Sequence, residues 1–222
     1  MYTYVATWAI PRAMWPDYQK AESADNDALN KAVADGTLIS FGSYQVLNHQ
    51  EGQATHGSWF SARSMANLIK ALEGLRTAPT SMDPALAASK HWDYILQSKD
   101  YNAHSGTFKN GYLRVGFWHW KAGTNDPDGK ILKSTMVVLL EKLLADGALH
   151  NYQIDTEVVH SDDPSAFFLA ITANGAEGLD KFAAALEDAA KNNPATLAAF
   201  SSLVDAHGHH DFLAHVTSMT HK

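Results

Sequence analysis

Two stretches decide how this chain reads: "DYNAH", Asp100 to His104, and "DFLAH", Asp211 to His215. The pattern Asp–aromatic–x–Ala–His occurs twice, displaced by 111 residues, and it does not stand alone. "ADGTL" (34–38) recurs as "ADGAL" (145–149), again 111 on. Trp8 finds Trp118 and Pro84-Ala85 finds Pro194-Ala195, each 110 on, and "KALEGL" (70–75) resembles "AALEDA" (184–189), 114 on. Any one match is compatible with chance. An ordered set at nearly constant spacing indicates duplication. The chain therefore reads as two halves of common design, 1–110 and 111–222.

Each half opens on a strand rich in aromatic and β-branched residues, "YTYVATWAI" and "YLRVGFWHW". A helix follows; in the second half Leu132, Met136, Leu139, Leu140, Leu143 and Leu144 fall at helical spacing. Gly36 and Gly147 stand where these helices should end, because a left-handed residue there needs no Cβ. Two strands come next, joined by "LNHQEGQAT" in one half and "HSDDPS" in the other. A second helix follows, with Ser64 expected to cap one copy and Asn174, three residues before Glu177, the other. A short helix starts near each proline, and the repeated pentapeptide is expected to begin the last strand. The expected fold class is α+β: two tandem ferredoxin-like βαββαβ units packed sheet to sheet as an intramolecular α/β barrel.

Composition narrows the function classes. The 222 residues are 45% hydrophobic, enough for a core. Net charge is −7 and lysines and arginines form no stripe, which argues against nucleic acid or an anionic membrane as partner. The absence of cysteine excludes disulfides, thiolate metal sites and a cysteine nucleophile. The N-terminus lacks the pattern of a signal peptide, and "STMVVLLEKLL" is too short and too charged to span a bilayer, so a soluble cytoplasmic protein is expected.

By element order and repeat, the chain resembles the dimeric α/β-barrel superfamily in a fused, tandem form. "ADGTLISFGSY" followed by "GSWFSARS" is similar to YCII-related and antibiotic-biosynthesis-monooxygenase-type sequences. Length and layout also resemble chlorite-dismutase-like proteins. The first resemblance implies cofactor-independent oxygenation, isomerisation or a related proton transfer on a small apolar or aromatic molecule. The second implies haem, for which histidine is a common axial ligand.

Strand alternation assigns candidate residues to faces. In the last strands, Asp100, Asn102 and His104 share one face, as do Asp211, Leu213, His215 and Thr217. In the opening strands, Val5 and Val115 suit the helix side. Tyr4, Ala6, Trp8 and Ile10, with Arg114, Gly116, Trp118 and Trp120, then face the space between the sheets. On this reading His104 and His215 move a proton, and Arg114 holds an anionic group. Trp8, Trp118, Trp120, Tyr4 and Asn102 line the substrate cavity. The plainer alternatives stay open: each duplicated histidine is inherited packing, the tryptophans are core, and Arg114 is a surface residue. Asp100 and His104 lie about 13 Å apart along a strand, too far for an assured dyad.

"HGHHDFLAH" gathers His207, His209, His210 and His215. No carboxylate set at metal-site spacing accompanies them, and a polar loop without metal is expected. No nucleotide-binding glycine loop, G-x-S-x-G elbow or H-E-x-x-H helix is present. Three functions remain: an enzyme needing no cofactor, a haem-binding protein, or a non-catalytic ligand-binding barrel of stress-response type. A small-molecule ligand is the expected partner, and a homodimer is compatible with all three.

Overall fold

The computed structural model describes residues 1–77, 83–124, 126, 129–161 and 163–222. The elements run β1 (Tyr2–Ala9), α1 (Trp15–Ala34), β2 (Ser40–Val46), β3 (His56–Ala62), α2 (Met65–Arg76), α3 (Pro84–Ala87), β4 (Lys90–Ala103), β5 (Gly106–Phe108) and β6 (Tyr112–His119). They continue α4 (Lys130–Leu132), a π-helical turn (Lys133–Val137), α5 (Val138–Ala145), β7 (Leu149–Val159), β8 (Ala166–Ala173), α6 (Ala176–Asn192), α7 (Pro194–Leu203) and β9 (His210–His221). Asp162, in the β7–β8 connection read as a hairpin loop, lies outside the described residues. No helix among the described residues is long and apolar enough to cross a membrane.

Two compact units divide the chain. The first comprises Met1–Gln97, Ser105–Lys109 and Ala214–Lys222; the second comprises Ser98–His104 and Asn110–Leu213. In the first unit β1 lies between β3 and β4, β2 joins β3 to the end of β9, and β5 adds to β9, all antiparallel. Leu29 and Val33 of α1 and Leu68 of α2 pack with Phe41 and Phe60 of this sheet. In the second unit β8 lies between β7 and β6, also antiparallel. Leu140, Leu143, Leu144, Phe182 and Phe200 from the helices pack with Tyr152, Phe167 and Ile171 from that sheet. Each such side chain, once fully buried, stabilises its unit by about 1.5–3 kcal/mol.

The helix ends follow local chemistry. Gly36 and Gly147 follow α1 and α5 at φ +83° and +69°, a region that penalises a Cβ. Ser64 caps α2 by accepting from the Asn67 amide at 3.2 Å. At α6 the expectation needs correcting: the cap position is Gly175, and Asn174 instead donates to the Gly147 carbonyl at 2.9 Å. Asn174 is drawn away because that carbonyl, past the end of α5, also needs a donor.

The pentapeptide needs a larger correction. Asp211 is near the start of the 12-residue β9, but Asp100 falls late in the 14-residue β4. The two copies are not structural counterparts. Helix α7 spans 10 residues where α3 spans 4, which shifts the start of the last strand relative to the proline. Each unit places a His-x-Asp stretch beside its opening strand: His91-Trp92-Asp93 and His209-His210-Asp211. His91 opposes Trp8 and Asp93 opposes Ala6, while His209 stacks on Trp118 and Asp211 lies against Gly116.

Candidate active site

The opening strands turn the other way from the expected phase. Tyr4 packs on Phe60 within the cluster that α1 and α2 cover. Trp8 meets Tyr18 of α1. The Arg114 guanidinium lies 5.5 Å over the ring of Phe182 on α6, and Trp118 meets Phe200 of α7 edge-on at 5.5 Å. Trp120 stacks on Phe167 at 4.3 Å. These residues face helices within their own units, not a space between sheets. Strand alternation finds which residues share a face, but when both faces carry aromatics it does not say which one the helices cover.

The pentapeptide histidines are also placed differently. His104 bonds through Nε2 to the Leu144 carbonyl at 3.0 Å, in the last turn of α5. Asn102 donates to both Glu141 oxygens at 3.0 and 3.1 Å, and Asp100 stands 3.9 Å from Lys133. The polar face of "DYNAH" is thus a clamp on the helical stretch 133–145. His215 sits in the other unit, opposite Gln45 of β2. Its neighbours Ala214 and Val216 are fully buried, and Thr217, two residues on, donates to Glu22 of α1 at 2.7 Å. The structure does not bring His104 and His215 together in one unit.

What the structure does assemble lies wholly in the second unit. A cavity of about 370 Å³ opens between the sheet and helices α6 and α7. β6 contributes Arg114, Gly116 and Trp118, and β8 contributes Leu169 and Ile171, the register partners of Gly116 and Arg114. Phe182, Leu186 and Ala190 of α6 and Leu197 and Phe200 of α7 close the opposite wall. Met136 reaches the cavity from the π-helical turn, a distortion found frequently at functional sites. The volume falls within the range of small-molecule pockets, about 300–1,000 Å³.

Polar groups converge at one end. Asp211 Oδ2 accepts from Arg114 Nε at 3.2 Å and from Nη2 at 2.5 Å, and Oδ1 lies 2.8 Å from His209 Nε2. The imidazole stacks on the Trp118 indole, ring centroids 3.7 Å apart. Arg114 has five N–H groups, of which two are used on Asp211. The others make no hydrogen bond to protein among the described residues. The site therefore joins an apolar slot, a cation with spare donors and a carboxylate–imidazole pair. Arg114, Gly116 and Trp118 are readable from the sequence. His209 is not, since the histidine run suggests at most a metal, and Asp211 stands too far along the strand from His215 to suggest a pair. The missed signal is the His-x-Asp spacing at the start of β9, which in extended chain puts both side chains on one side.

Among the described residues, no group of three or more histidine or acidic side chains could hold a metal ion. The cavity lining does not fit haem either. It contains no histidine, cysteine or tyrosine, and Met136 is its sole haem-ligand type.

No protein-family model matches the chain, and no curated protein matches it. Solved structures do. A candidate monooxygenase from Lactobacillus acidophilus NCFM is 10% identical, with 99% of this chain and 95% of that one covered and a TM-score of 0.68. An anthrone oxidase-like protein is 9% identical, with coverage of 99% and 92% and a TM-score of 0.59. A heme-binding protein from Thermus thermophilus is 11% identical, with coverage of 97% and 90% and a TM-score of 0.59. At such identities the likeness establishes a shared mixed α/β fold and nothing about chemistry.

Proposed function

We propose that the protein is a small-molecule enzyme that removes an acidic proton from a keto or phenolic aromatic compound in the second-unit cavity, without a bound cofactor. The observation that carries this reading is the convergence of Arg114, Asp211 and His209 on one end of a mostly apolar slot, whose other charged lining residue, Glu187, pairs with Lys191 at 3.7 Å. Deprotonation next to a carbonyl moves negative charge onto its oxygen. The spare Arg114 donors are suited to hold that oxygen, and apolar walls strengthen the interaction by excluding water. Asp211, which lines the cavity, is the proton acceptor. His209, a quarter exposed, donates Nε2–H to the carboxylate and orients it, and protonated Asp211 returns its proton to the product anion. This moves the proton-transfer role from His104 and His215 to Asp211.

A stabilised carbanion of this kind reacts with dioxygen directly. For an anthrone, one dioxygen is consumed and one quinone and one water are formed. The names of the monooxygenase and anthrone oxidase-like likenesses support oxygenation over simple isomerisation. We also read the chain as a duplicated βαββαβ unit of the dimeric α/β-barrel superfamily, with halves at 1–110 and 111–222. The recurring element order supports this.

Anthrone is the probe that tests the reaction. Oxygen uptake and deuterium entry at its methylene carbon should both exceed the buffer rate with wild type and fall at least about a hundredfold in Asp211→Asn. Wild-type rates equal to buffer in both assays would remove the reading. A strong band near 400 nm in purified or haem-titrated protein would favour haem instead.

A further inference from the structure

Both units carry a His-x-Asp pair beside their opening strand, but only one pair is closed. In the second unit His209 Nε2 lies 2.8 Å from Asp211 Oδ1, and its side chain is 25% exposed. In the first, His91 Nε2 lies 3.7 Å from Asp93 Oδ2, and its side chain is 58% exposed. Asp93 gives its other oxygen to the Tyr4 hydroxyl at 2.8 Å. The residue beneath each pair also differs. Ala6 opposes Asp93, whereas Gly116 lies beneath Asp211.

A Cβ on Gly116 would stand 2.8 Å from Asp211 Oδ1 and 2.7 Å from Trp118 Nε1. Both contacts are too short for a packed interior. Neither side chain is free to swing aside. Two Arg114 donors and His209 hold Asp211, and the His209 stack and the Phe200 edge hold Trp118. Gly116 is not among the glycines with positive φ, so the position needs the space and not the backbone freedom.

We propose that Gly116 is a positioning residue: its missing side chain lets the carboxylate lie flat on β6 and meet Arg114 and His209 together. A methyl group there pushes Asp211 toward the open geometry that Asp93 shows above Ala6. The geometric claim stands by itself, and its consequence for turnover rests on the proposed function.

The test is Gly116→Ala, read by proton NMR. In wild type the His209 Nε2–H should give a slowly exchanging downfield resonance, assigned by its absence in His209→Gln. In Gly116→Ala, with circular dichroism and cooperative melting retained, that resonance should vanish. Anthrone turnover should fall at least about tenfold while 2-naphthoate binding stays within about threefold, the signature of a misplaced group and not of a lost pocket. A resonance that survives in Gly116→Ala overturns the proposal. If wild type does not turn over anthrone, the functional reading fails and the resonance still decides the role of Gly116. If Gly116→Ala does not fold, the change is made in Trp118→Phe, which lacks the indole nitrogen. Loss of the resonance there, but not in Trp118→Phe alone, supports the proposal; retention overturns it.

Discussion

Arg114 and Asp211 meet through a single carboxylate oxygen. Both Nε and Nη2 of the arginine converge on Oδ2, which leaves Oδ1 for His209. One carboxylate thus orients a cation and an imidazole from opposite edges. The ion pair is partly exposed, so it adds little to stability, and positioning is its main consequence.

That division predicts opposite effects for two substitutions. Asp211→Asn removes the counter-charge of Arg114 and the proton-accepting carboxylate, leaving one amide oxygen to be shared by Arg114 and His209. Binding of 2-naphthoate should hold or tighten while anthrone turnover drops at least about a hundredfold. Arg114→Met keeps the bulk and loses the charge, so 2-naphthoate binding should weaken about tenfold or more. Titration by tryptophan fluorescence checks both. Equal weakening in the two variants would mean that the cavity had collapsed.

His104 is expected to matter for stability alone. Its bond to the Leu144 carbonyl satisfies an acceptor at the end of α5. His104→Ala should cost about 1 kcal/mol, or about 2–4 °C of melting temperature, and leave anthrone turnover unchanged. Loss of turnover with unchanged melting would return His104 to the mechanism.

How much of this is legible in the sequence depends on which interactions are local. Glycine-ended helices, the Ser64 cap and the proline-started helices are legible because each depends on a few adjacent residues. Strand faces are only half legible. Arg114, Gly116 and Trp118 group correctly, but the covered face is decided by Phe182 and Phe200, far away in sequence. The pentapeptide misleads because identical letters need not occupy equivalent strand positions once a helix between them changes length.

The first unit holds an acid-sensitive group. His56 is 1% exposed, packed against Tyr18 and Trp15, with Nδ1 near the Thr55 hydroxyl at 3.0 Å and Nε2 without a partner among the described residues. Burial holds its pKa down at about 4, against about 6.5 when unfolded. The unfolded chain therefore takes up a proton first. The His56 contribution is complete above pH 6.5 and is lost as pH falls toward 4, for at most about 3 kcal/mol. Phe167 occupies the corresponding register position opposite Trp118, so His56→Phe should fit. It should remove this contribution, so that urea-unfolding stability of the variant falls more steeply with rising pH between 4 and 6 than that of wild type. An unchanged slope in that variant would assign the acid sensitivity elsewhere.

The second unit holds a group of opposite sign. Asp155 on β7 is 1% exposed, hydrogen-bonded by the Ser98 hydroxyl and by Gln153 at 2.8 Å. Desolvation outweighs these bonds and raises its pKa to about 6, above the ordinary value of 3.8. The folded state here prefers the protonated acid. Its contribution is complete below pH 3.8 and is lost as pH rises through 6, for at most about 3 kcal/mol. Asp155→Asn keeps an oxygen for Ser98 and carries no charge to bury. The variant should therefore match wild type near pH 3.8 and exceed it at pH 8, by up to about 2 kcal/mol once its altered bond to Gln153 is allowed for. Because His56 and Asp155 oppose each other between pH 4 and 6, wild-type stability should be nearly flat there. Each single variant should then tilt, His56→Phe downward and Asp155→Asn upward with rising pH. Tilts in the same direction would mean that one of the two buried groups has been given the wrong charge state.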